Sequence, residues 1–291
     1  MKKKIVITGI SSSIIQKLAA LIDFSNYEVI GISRNPSSTS LDNINVVKGD
    51  LLHIQDFEAH LKDCYLLIHG AAITHSQKEA TYYEINLEAT KKLVDLANAC
   101  AVERFAFISS NTAGKNSGAY GLTKLLAEEY IQKHFKGWTI LRLSAVYGDN
   151  KKEGIEKLIH EVLDKRMVLC PVDIPCKLYP IHVSDAITTM FHRIFEEKYL
   201  NKVSGINGGQ GFSFFEIIEL TKRISKREVR VIFLGKRIMS FIKIIAKISP
   251  INLGIAPDQI DRLYTQKYIE QNSMSTMKLE DYIQAVVNTK K

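Results

Sequence analysis

The stretch from Lys4 to Ile15, KIVITGISSSII, decides the fold. Its first five residues, as far as Thr8, are mostly β-branched and predict a buried strand. Gly9 permits a tight turn, and the apolar spacing from Ser13 onward predicts a helix. A strand, a turn and a helix in this order form the phosphate loop of dinucleotide-binding sheets. The stretch therefore predicts a parallel α/β sheet with an anion site at the turn.

One of the three glycines of that loop is present. Ser12 stands where glycine would let the backbone approach a pyrophosphate, and Ile15 where glycine would let the helix pack closely on the strand. The alternative interpretation is a serine-rich turn that only caps an ordinary helix. Helix N–H groups and serine hydroxyls also bind phosphate without glycine. We therefore predict cofactor contacts at Gly9, Ser12, Ser13 and Ile14.

Short β-branched runs alternate with longer amphipathic segments over the first 150 residues. The predicted strands are Lys4 to Thr8, Glu28 to Ile32, Asn45 to Val47, Leu66 to His69, Arg104 to Ser109 and Trp138 to Leu143. The predicted helices lie near Ser13 to Leu21, Ile54 to Leu61, Tyr82 to Ala101 and Ala119 to His134. This alternation is typical of an α/β, doubly wound parallel sheet of the Rossmann type, whose ligands bind at the carboxyl ends of the strands.

The alternation loosens after Gly148. Helices are predicted from Glu153 to Asp164, from Ser184 to Glu196 and from Phe214 to Ile224, with a strand from Val203 to Ile206. We therefore predict a dinucleotide-binding domain of residues 1–148 and 181–207. A smaller, interleaved substrate-binding domain would comprise residues 149–180 and 208–291.

The net charge of +8 is concentrated in the second half of the chain. Residues 1–150 hold 16 Lys and Arg against 15 Asp and Glu, whereas the remainder hold 23 against 16. The second half therefore favours an anionic ligand. Without zinc-finger spacing or an RNA-binding aromatic signature, nucleic acid is not an expected partner. A phosphorylated small molecule and an acidic membrane surface remain.

We expect a cytoplasmic protein without a metal. No apolar run approaches the ~20 residues of a membrane-spanning helix, and Thr8, Gly9 and the serine run interrupt the apolar start before any signal-peptide cleavage pattern. The cysteines are Cys64, Cys100, Cys170 and Cys176, which include no C-x-x-C pair. Reduced thiols are therefore expected, and neither a metal site nor a disulfide framework is indicated.

The second predicted strand ends in Ile32-Ser33-Arg34. An acidic residue at this point would bind the 2′-hydroxyl of the ribose of NAD, whereas Arg34 can pair with the 2′-phosphate of NADP. The alternative is a solvated surface arginine. The strand end therefore favours NADP over NAD as cofactor.

Tyr120 and Lys124 are four residues apart in AYGLTKLLAEEY and share one face of a predicted helix. A second pair with this spacing, Tyr147 and Lys151, is interrupted by turn residues from Gly148 onward. An ammonium beside a phenol favours the phenolate and brings its proton within reach of transfer. A serine hydroxyl at the end of the preceding strand would orient a substrate oxygen while a nicotinamide carries the hydride.

The chain resembles the extended short-chain dehydrogenase/reductase family, specifically its NAD(P)-dependent nucleotide-sugar epimerases, dehydratases and reductases. The resemblance covers most of the chain and rests on ordered motifs. These are IVITG, Gly49-Asp50-Leu51, His69-Gly70-Ala71-Ala72, Asn86, FISSNT, YGLTK, LRLSAVYG and HVSDA. It implies that Asp50 and Leu51 border the adenine and that Gly70, Ala71 and Ala72 border the cofactor ribose. It also implies that Ser110, Tyr120 and Lys124 are the catalytic triad and that Lys124 holds the nicotinamide ribose.

Departures from the family pattern narrow the reaction. Dehydratases of this family carry an Asp-Glu pair where this chain has Asn111 and Thr112, so dehydration is disfavoured. Ala145 stands near the place of an asparagine common in the epimerases, which weakens the 4-epimerase interpretation. We expect Ser110, Asn111 and Thr112 to contact substrate, and Lys177 to meet a substrate phosphate or to be a solvated lysine.

Three functions remain from the sequence. The leading one is an NADP-dependent reductase of a nucleotide-linked 4-keto sugar that serves surface-polysaccharide precursor synthesis. The second is a nucleotide-sugar 4-epimerase with retained NAD. The third is a catalytically silent NAD(P)-binding protein, which the degraded glycine loop suggests. The family resemblance also implies a homodimer.

The segment from Lys236 to Ser249 predicts an amphipathic helix. It places Lys236, Lys243 and Lys247 on one face and isoleucines and Phe241 broadly opposite. Such a helix can lie on an anionic membrane. The favoured alternative is a helix packed onto the substrate-binding domain.

Overall fold

The computed structural model describes residues 2–38, 41–149, 153–248, 256–270 and 275–290. Its strands are β1 Lys3–Thr8, β2 Tyr27–Ser33, β3 Ile44–Lys48, β4 Cys64–His69, β5 Arg104–Ser110, β6 Trp138–Leu143, β7 Val146–Tyr147, β8 Met167–Pro171, β9 Ile181–His182, β10 Lys202–Ile206 and β11 Arg230–Leu234. Its α-helices are α1 Ser13–Ala19, α2 Glu58–Leu61, α3 Glu79–Tyr82, α4 Ala89–Ala99, α5 Gly118–His134, α6 Gly154–Asp164, α7 Val183–Phe195, α8 Phe214–Ser225, α9 Lys236–Ile248, α10 Pro257–Leu263 and α11 Leu279–Thr289.

A seven-stranded parallel sheet forms the centre of the protein, in the order β10-β6-β5-β4-β1-β2-β3. The chain order reverses between β1 and β4, which are paired in parallel from Ile5↔Leu66 to Thr8↔His69. Apolar side chains cover both faces of the sheet, one cluster holding Phe105 and Phe107 and the other Ile5 and Ile7. The predicted doubly wound α/β class is therefore confirmed, and the crevice lies outside the ends of β1 and β4.

The strands predicted in the first 150 residues are present, as are the helices near Ser13 and Ala119, with boundaries shifted by a few residues. The helix predicted from Ile54 to Leu61 is instead a 3₁₀ segment, Leu51–Phe57, followed by the short α2. The long helix predicted from Tyr82 to Ala101 differs, because a π-helical turn at Tyr83–Glu88 separates α3 from α4. Buried Asn86 lies in this turn. Its amide accepts a hydrogen bond from the Ile73 N–H at 2.8 Å and donates to the Ile73 carbonyl at 2.9 Å. The turn therefore ties the helix to the loop that follows β4.

A third apolar cluster lies in the second half of the chain. It joins α6, α8, α11 and the parallel pair β8 and β11, with Ile159, Ile217 and Ile283 fully buried. The sequence did not predict β11, because five residues between basic segments carry little periodicity. Strand β10 meanwhile returns to the edge of the main sheet beside β6. This arrangement agrees with interleaving, while the domain boundaries stay predictions.

Helix α9 buries part of its apolar surface, since Met239 and Ala246 are buried and Ile242 and Ile245 are half-buried. Lys243 forms a 2.5 Å ion pair with Asp261. Phe241 and Ile244, by contrast, are 62% and 56% exposed. The predicted Ser249 and the Lys247 side chain lie outside the described residues. Contact of this helix with a membrane stays a prediction.

Within the described ranges, every helix is too short or too polar to span a bilayer. The cysteines are free thiols, with Cys64 and Cys170 buried and Cys100 and Cys176 half-buried. Burial raises the pKa of the Cys64 thiol to about 11. That thiol is therefore protonated and unreactive at neutral pH.

We predict that Asn86→Ala lowers the free energy of unfolding by about 2–3 kcal/mol, because both backbone groups of Ile73 lose their buried partner. Asn98→Ala is the matched control, since its exposed amide donates a single hydrogen bond to the His134 carbonyl. Its expected cost is below about 1 kcal/mol. Denaturant unfolding of both variants tests this, and equal costs would contradict the assigned role of Asn86.

Candidate active site

A cavity of about 360 Å³ opens at the carboxyl ends of β1 to β4. Its lining includes most of the predicted cofactor contacts, namely Gly9, Ser12, Arg34, Asp50, Leu51, Gly70, Ala71 and Ala72. Thr8, Ser11, Ile32, Ser33, Gly49, Ile73, Thr74 and Ile85 also line it and were not singled out from the sequence. Most of these extra residues flank the predicted motifs, so the strand ends themselves were the signal. Ser13 and Ile14 are not part of the lining.

Gly9 has a backbone position that only glycine fills. Its φ is +77°, and a Cβ built there would lie 2.6 Å from the backbone nitrogen of Ala71. The loops after β1 and β4 therefore touch through backbone alone. The Ser12 N–H donates to the Gly9 carbonyl at 3.0 Å and closes the turn.

The Ser13 hydroxyl is engaged by the protein itself. It donates to the Asp149 carboxylate at 2.6 Å, and Lys17 forms a 2.5 Å ion pair with the same oxygen. Sequence reasoning missed this contact because Asp149 is 136 residues away along the chain. The hydroxyl therefore faces a carboxylate, and a phosphate contact through the Ser13 side chain stays a prediction.

The missing third glycine is compensated from the other side of the contact. Ile15 is buried, and a Cβ built on Gly70 would lie 2.6 Å from its Cδ1 atom. The helix can therefore carry an isoleucine because strand β4 is followed by a glycine. Helix α1 therefore still packs closely against the sheet, with the large residue, Ile15, on the helix and the glycine, Gly70, after β4.

The end of β2 carries no acidic side chain toward the cavity. Ser33 and exposed Arg34 line this end, and the Asn35 N–H donates to the Ser33 hydroxyl at 3.2 Å. The cavity's acidic lining residue, Asp50, accepts from the Leu52 N–H and caps the following helical turn. The cationic group at the mouth is therefore Arg34.

Ser110 and Tyr120 come together beyond the end of β5. Ser110 ends that strand, and Tyr120 lies in the first turn of α5. Burial raises the pKa of the Tyr120 phenol, whereas Arg262 and a hydrogen bond with the Ser110 hydroxyl lower the pKa. The Ser110 oxygen also lies 2.9 Å from the Thr112 hydroxyl. These three hydroxyls therefore lie near one another at this end of the sheet.

Lys124 is directed toward the sheet in this structure. Its ammonium donates to the Ile108 carbonyl at 2.8 Å and lies 3.8 Å from the ring centroid of Phe107. Burial lowers the pKa of Lys124 to about 7, although the nearby Glu128 carboxylate opposes this shift. The structure thus brings Ser110 and Tyr120 together but holds the Lys124 ammonium on a backbone carbonyl.

Tyr147, the tyrosine of the rival pair, does not lie in a helix. Tyr147 ends the short strand β7, Gly148 follows at a φ of +87°, and Lys151 lies outside the described residues. The buried Tyr147 hydroxyl donates to the Met277 carbonyl at 2.8 Å. Burial raises the pKa of Tyr147 strongly. Its contacts are those of a packed tyrosine.

The predicted substrate contacts divide into two places. Buried Asn111 donates to the Ser144 hydroxyl at 3.1 Å and lies beside Ser110. Lys177 instead forms an exposed 2.9 Å ion pair with Glu216 and lines a different hollow. The structure does not bring Lys177 to the Ser110 and Tyr120 group.

Residues 5–198 match the NAD dependent epimerase/dehydratase family. The chain belongs to this family. The resemblance stated from the motifs is thereby confirmed, and the family is described as NAD dependent.

The relatives and solved structures include more than one reaction. A UDP-glucose 4-epimerase of Vibrio cholerae is 28% identical over 188 residues, covering 56% of this chain and 57% of that protein. The UDP-glucuronic acid 4-epimerase of Bacillus cereus, solved with UDP-glucuronic acid and NAD, superposes with a TM-score of 0.71 at 21% identity over 98% of both chains. The dTDP-4-dehydrorhamnose reductase of Bacillus anthracis, solved with NADP, superposes with a TM-score of 0.64 at 16% identity over 81% of this chain and 85% of that one.

The chain spans about half the length of the curated relatives it matches. At the identities of the two solved structures, the superpositions show a shared fold. The reaction of this chain is therefore argued from its own residues.

We predict that Gly9→Ala weakens dinucleotide binding by about 10-fold or more, because an alanine at this φ collides with Ala71 and displaces the loop. Gly154→Ala is the matched control, since Gly154 also has a positive φ of +53° but has nothing within 4 Å of its added Cβ. Titration of both folded variants with cofactor measures the effect. Equal affinities would show that the Gly9 contact does not shape the cavity.

Proposed function

We propose that this chain is an NADP-dependent reductase of a nucleotide-linked 4-keto sugar, acting in the synthesis of a surface-polysaccharide precursor. The observation that carries the proposal is Arg34, a cation at the mouth of the dinucleotide cavity where an NAD-specific chain would present a carboxylate. The neighbouring hydroxyls of Ser110 and Tyr120 would supply the hydrogen bond and the proton that a ketone reduction needs.

The residues of the cavity fit a dinucleotide. The tight turn at Gly9, which only glycine can form beside Ala71, leads into α1 and suits a pyrophosphate at the start of that helix. Ser33 and Arg34 would hold the 2′-phosphate, with Asp50 and Leu51 beside the adenine. The loop from Gly70 to Ala72 would border the ribose.

NADPH, when bound, supplies the hydride that adds to the ketone carbon. The Ser110 hydroxyl donates a hydrogen bond to the ketone oxygen and draws charge onto it. Tyr120 transfers its phenolic proton to the same oxygen, which completes a secondary alcohol. Lys124 lies one helical turn after Tyr120 and would hold the cofactor ribose. The Thr112 hydroxyl keeps Ser110 in place through their 2.9 Å contact.

The substrate class is supported by charge. Residues 222–247 hold nine basic residues against the single acid Glu228, which suits the diphosphate of a nucleotide sugar. Solved neighbours of the same fold bind such ligands, as the Bacillus cereus epimerase does UDP-glucuronic acid. The homodimer and the cytoplasmic location stay predictions.

A nucleotide-sugar 4-epimerase is the second candidate, favoured by the identity with the Vibrio cholerae protein. An epimerase oxidises and then reduces its substrate with one retained NAD, and it consumes no reductant. Arg34 and Ala145 both favour the reductase over the epimerase. Retained NAD and conversion of epimers would establish the second candidate, whereas cofactor binding without turnover would establish a silent protein.

We predict that Tyr120→Phe lowers kcat by about 10²- to 10⁴-fold, because the variant lacks the proton donor while its ring still packs. Cofactor affinity should stay close to that of the parent protein. Tyr147→Phe is the matched control, because its hydroxyl only donates to the Met277 carbonyl. Steady-state rates of NADPH oxidation measure both, and similar losses of kcat would end the assignment of Tyr120.

We also predict that Arg34→Ala weakens NADPH binding by about 10- to 100-fold, since a charge-assisted contact contributes about 1.5–3 kcal/mol. NADH binding, which involves no 2′-phosphate, should change little. Arg223→Ala, which breaks an exposed ion pair with Glu280, is the control. Fluorescence titrations with both cofactors test this. A parent protein that prefers NADH would overturn the NADP assignment.

A further inference from the structure

We propose that Arg262 of α10 is the positioning residue that sets the acidity of Tyr120, and that Asp258 fastens it to the catalytic helix. The inference rests on the proposed function, in which the Tyr120 phenol moves the proton. It adds a residue from the C-terminal part of the chain, far from YGLTK in sequence.

The Arg262 guanidinium lies against the Tyr120 ring. Its central carbon is 4.5 Å from the ring centroid, and its Nη2 donates to the Thr74 carbonyl at 3.0 Å. The Arg262 side chain is 16% exposed and forms a 2.9 Å ion pair with Asp258. The guanidinium is therefore held in one place between α10, the loop after β4 and the phenol.

Asp258 caps the catalytic helix from another element. Its Oδ1 atom accepts from the Tyr120 N–H at 2.9 Å, whereas Ser117, the residue before α5, makes no side-chain cap. Gly118 has a φ of +67°, and any Cβ there would collide with the Asp258 carboxylate. The first turn of α5 is thus shaped to receive this aspartate.

The groups that face the Tyr120 phenol come from several elements. Ser110 approaches from β5, and Tyr82 of α3 has its ring centroid 6.1 Å from that of Tyr120. Asp258 and Arg262 approach from α10. Two further titratable groups lie near that pair: burial and the Glu79 charge raise the pKa of the Asp258 carboxyl, and burial together with the Arg262 guanidinium lowers the pKa of His75.

The two basic side chains near the catalytic helix are placed differently. Lys124 donates to the Ile108 carbonyl, whereas Arg262 lies over the phenol itself. Burial raises the pKa of Tyr120 and the negative charge of Asp258 raises it further, whereas Arg262 lowers it. The guanidinium therefore offsets part of the shift that burial causes, in the direction that favours the phenolate.

The consequence is that α10 completes the acid-base group. Helix α5 carries the tyrosine, but its charge environment and its first-turn cap both come from the C-terminal part of the chain. If α10 moved away, the Tyr120 phenol would lose the neighbouring Arg262 charge, and the pKa of the phenol would rise.

The test titrates Tyr120 directly in the intact protein, without cofactor or substrate. Carbon-13 at the tyrosine Cζ reports each phenol by NMR, and Tyr120→Phe identifies the Tyr120 signal among the 12 tyrosines. Arg262→Gln removes the charge but keeps an N–H donor for Thr74, and Arg262→Lys keeps the charge. We expect Arg262→Gln to move the Tyr120 midpoint upward by about 1 pH unit, and Arg262→Lys to move it less.

Two controls make the result decisive. Arg237→Gln removes a charge from an exposed residue of α9 and should leave the midpoint unchanged. Lys124→Met should shift the midpoint of the free protein less than Arg262→Gln does. An unshifted midpoint in Arg262→Gln, or a larger shift in Lys124→Met, overturns the proposal. A protein inactive on every 4-keto sugar would still give this answer, so failure of the proposed function is a separate result.

The direction of the expected change in the pH profile of kcat follows from the proton that Tyr120 must donate. Reduction is lost as pH rises through the Tyr120 pKa, so Arg262→Gln should keep its kcat to higher pH than the parent protein. A change confined to KM, with the pH profile of kcat unmoved, would assign Arg262 to substrate binding instead and overturn its role through Tyr120.

Discussion

The architecture depends on the close approach of two backbones where the order of the sheet reverses. Gly9, with its positive φ, leaves only van der Waals space between the loop after β1 and Ala71 after β4. The Thr8 hydroxyl and the His69 Nδ1 atom, 2.7 Å apart, bond the same two strand ends beneath it. Burial lowers the pKa of His69 to about 3, so this junction is held by a neutral imidazole. The crevice at this end of the sheet exists because these two loops meet without side chains between them.

The sheet was predictable because buried parallel strands are β-branched runs that end at turn residues, as Lys3–Thr8 and Gly9 illustrate. The cavity lining was predictable for the same reason, since its residues lie at and just beyond strand ends. What failed had no local signature. The Ser13 contact with Asp149 and the Tyr120 contact with Asp258 join residues 136 and 138 positions apart.

Where the phosphate loop departs from the three-glycine pattern at Ile15, two residues have exchanged size and the packing contact is kept. Ile15 fills the space that a glycine would leave, and Gly70 provides the room opposite. Helix α10 has a comparable relation to α5, because Asp258 supplies the cap that Ser117 does not. In each case a residue distant in sequence restores a contact that the local motif lacks. Whether a chain of this family keeps its site is therefore better inferred from the contacts in the structure than from the residue types of one loop.

The central claim is that hydride leaves NADPH and stays in the product sugar. To test this directly, the protein is incubated with a panel of nucleotide-linked 4-keto sugars and NADPH that carries deuterium at the transferable position. NMR of the products then locates the deuterium. The account predicts one deuterium at C4 of the sugar alcohol for each NADPH oxidised. Interconversion of 4-epimers by a tightly held NAD, with no deuterium from added cofactor and no net oxidation, would contradict it.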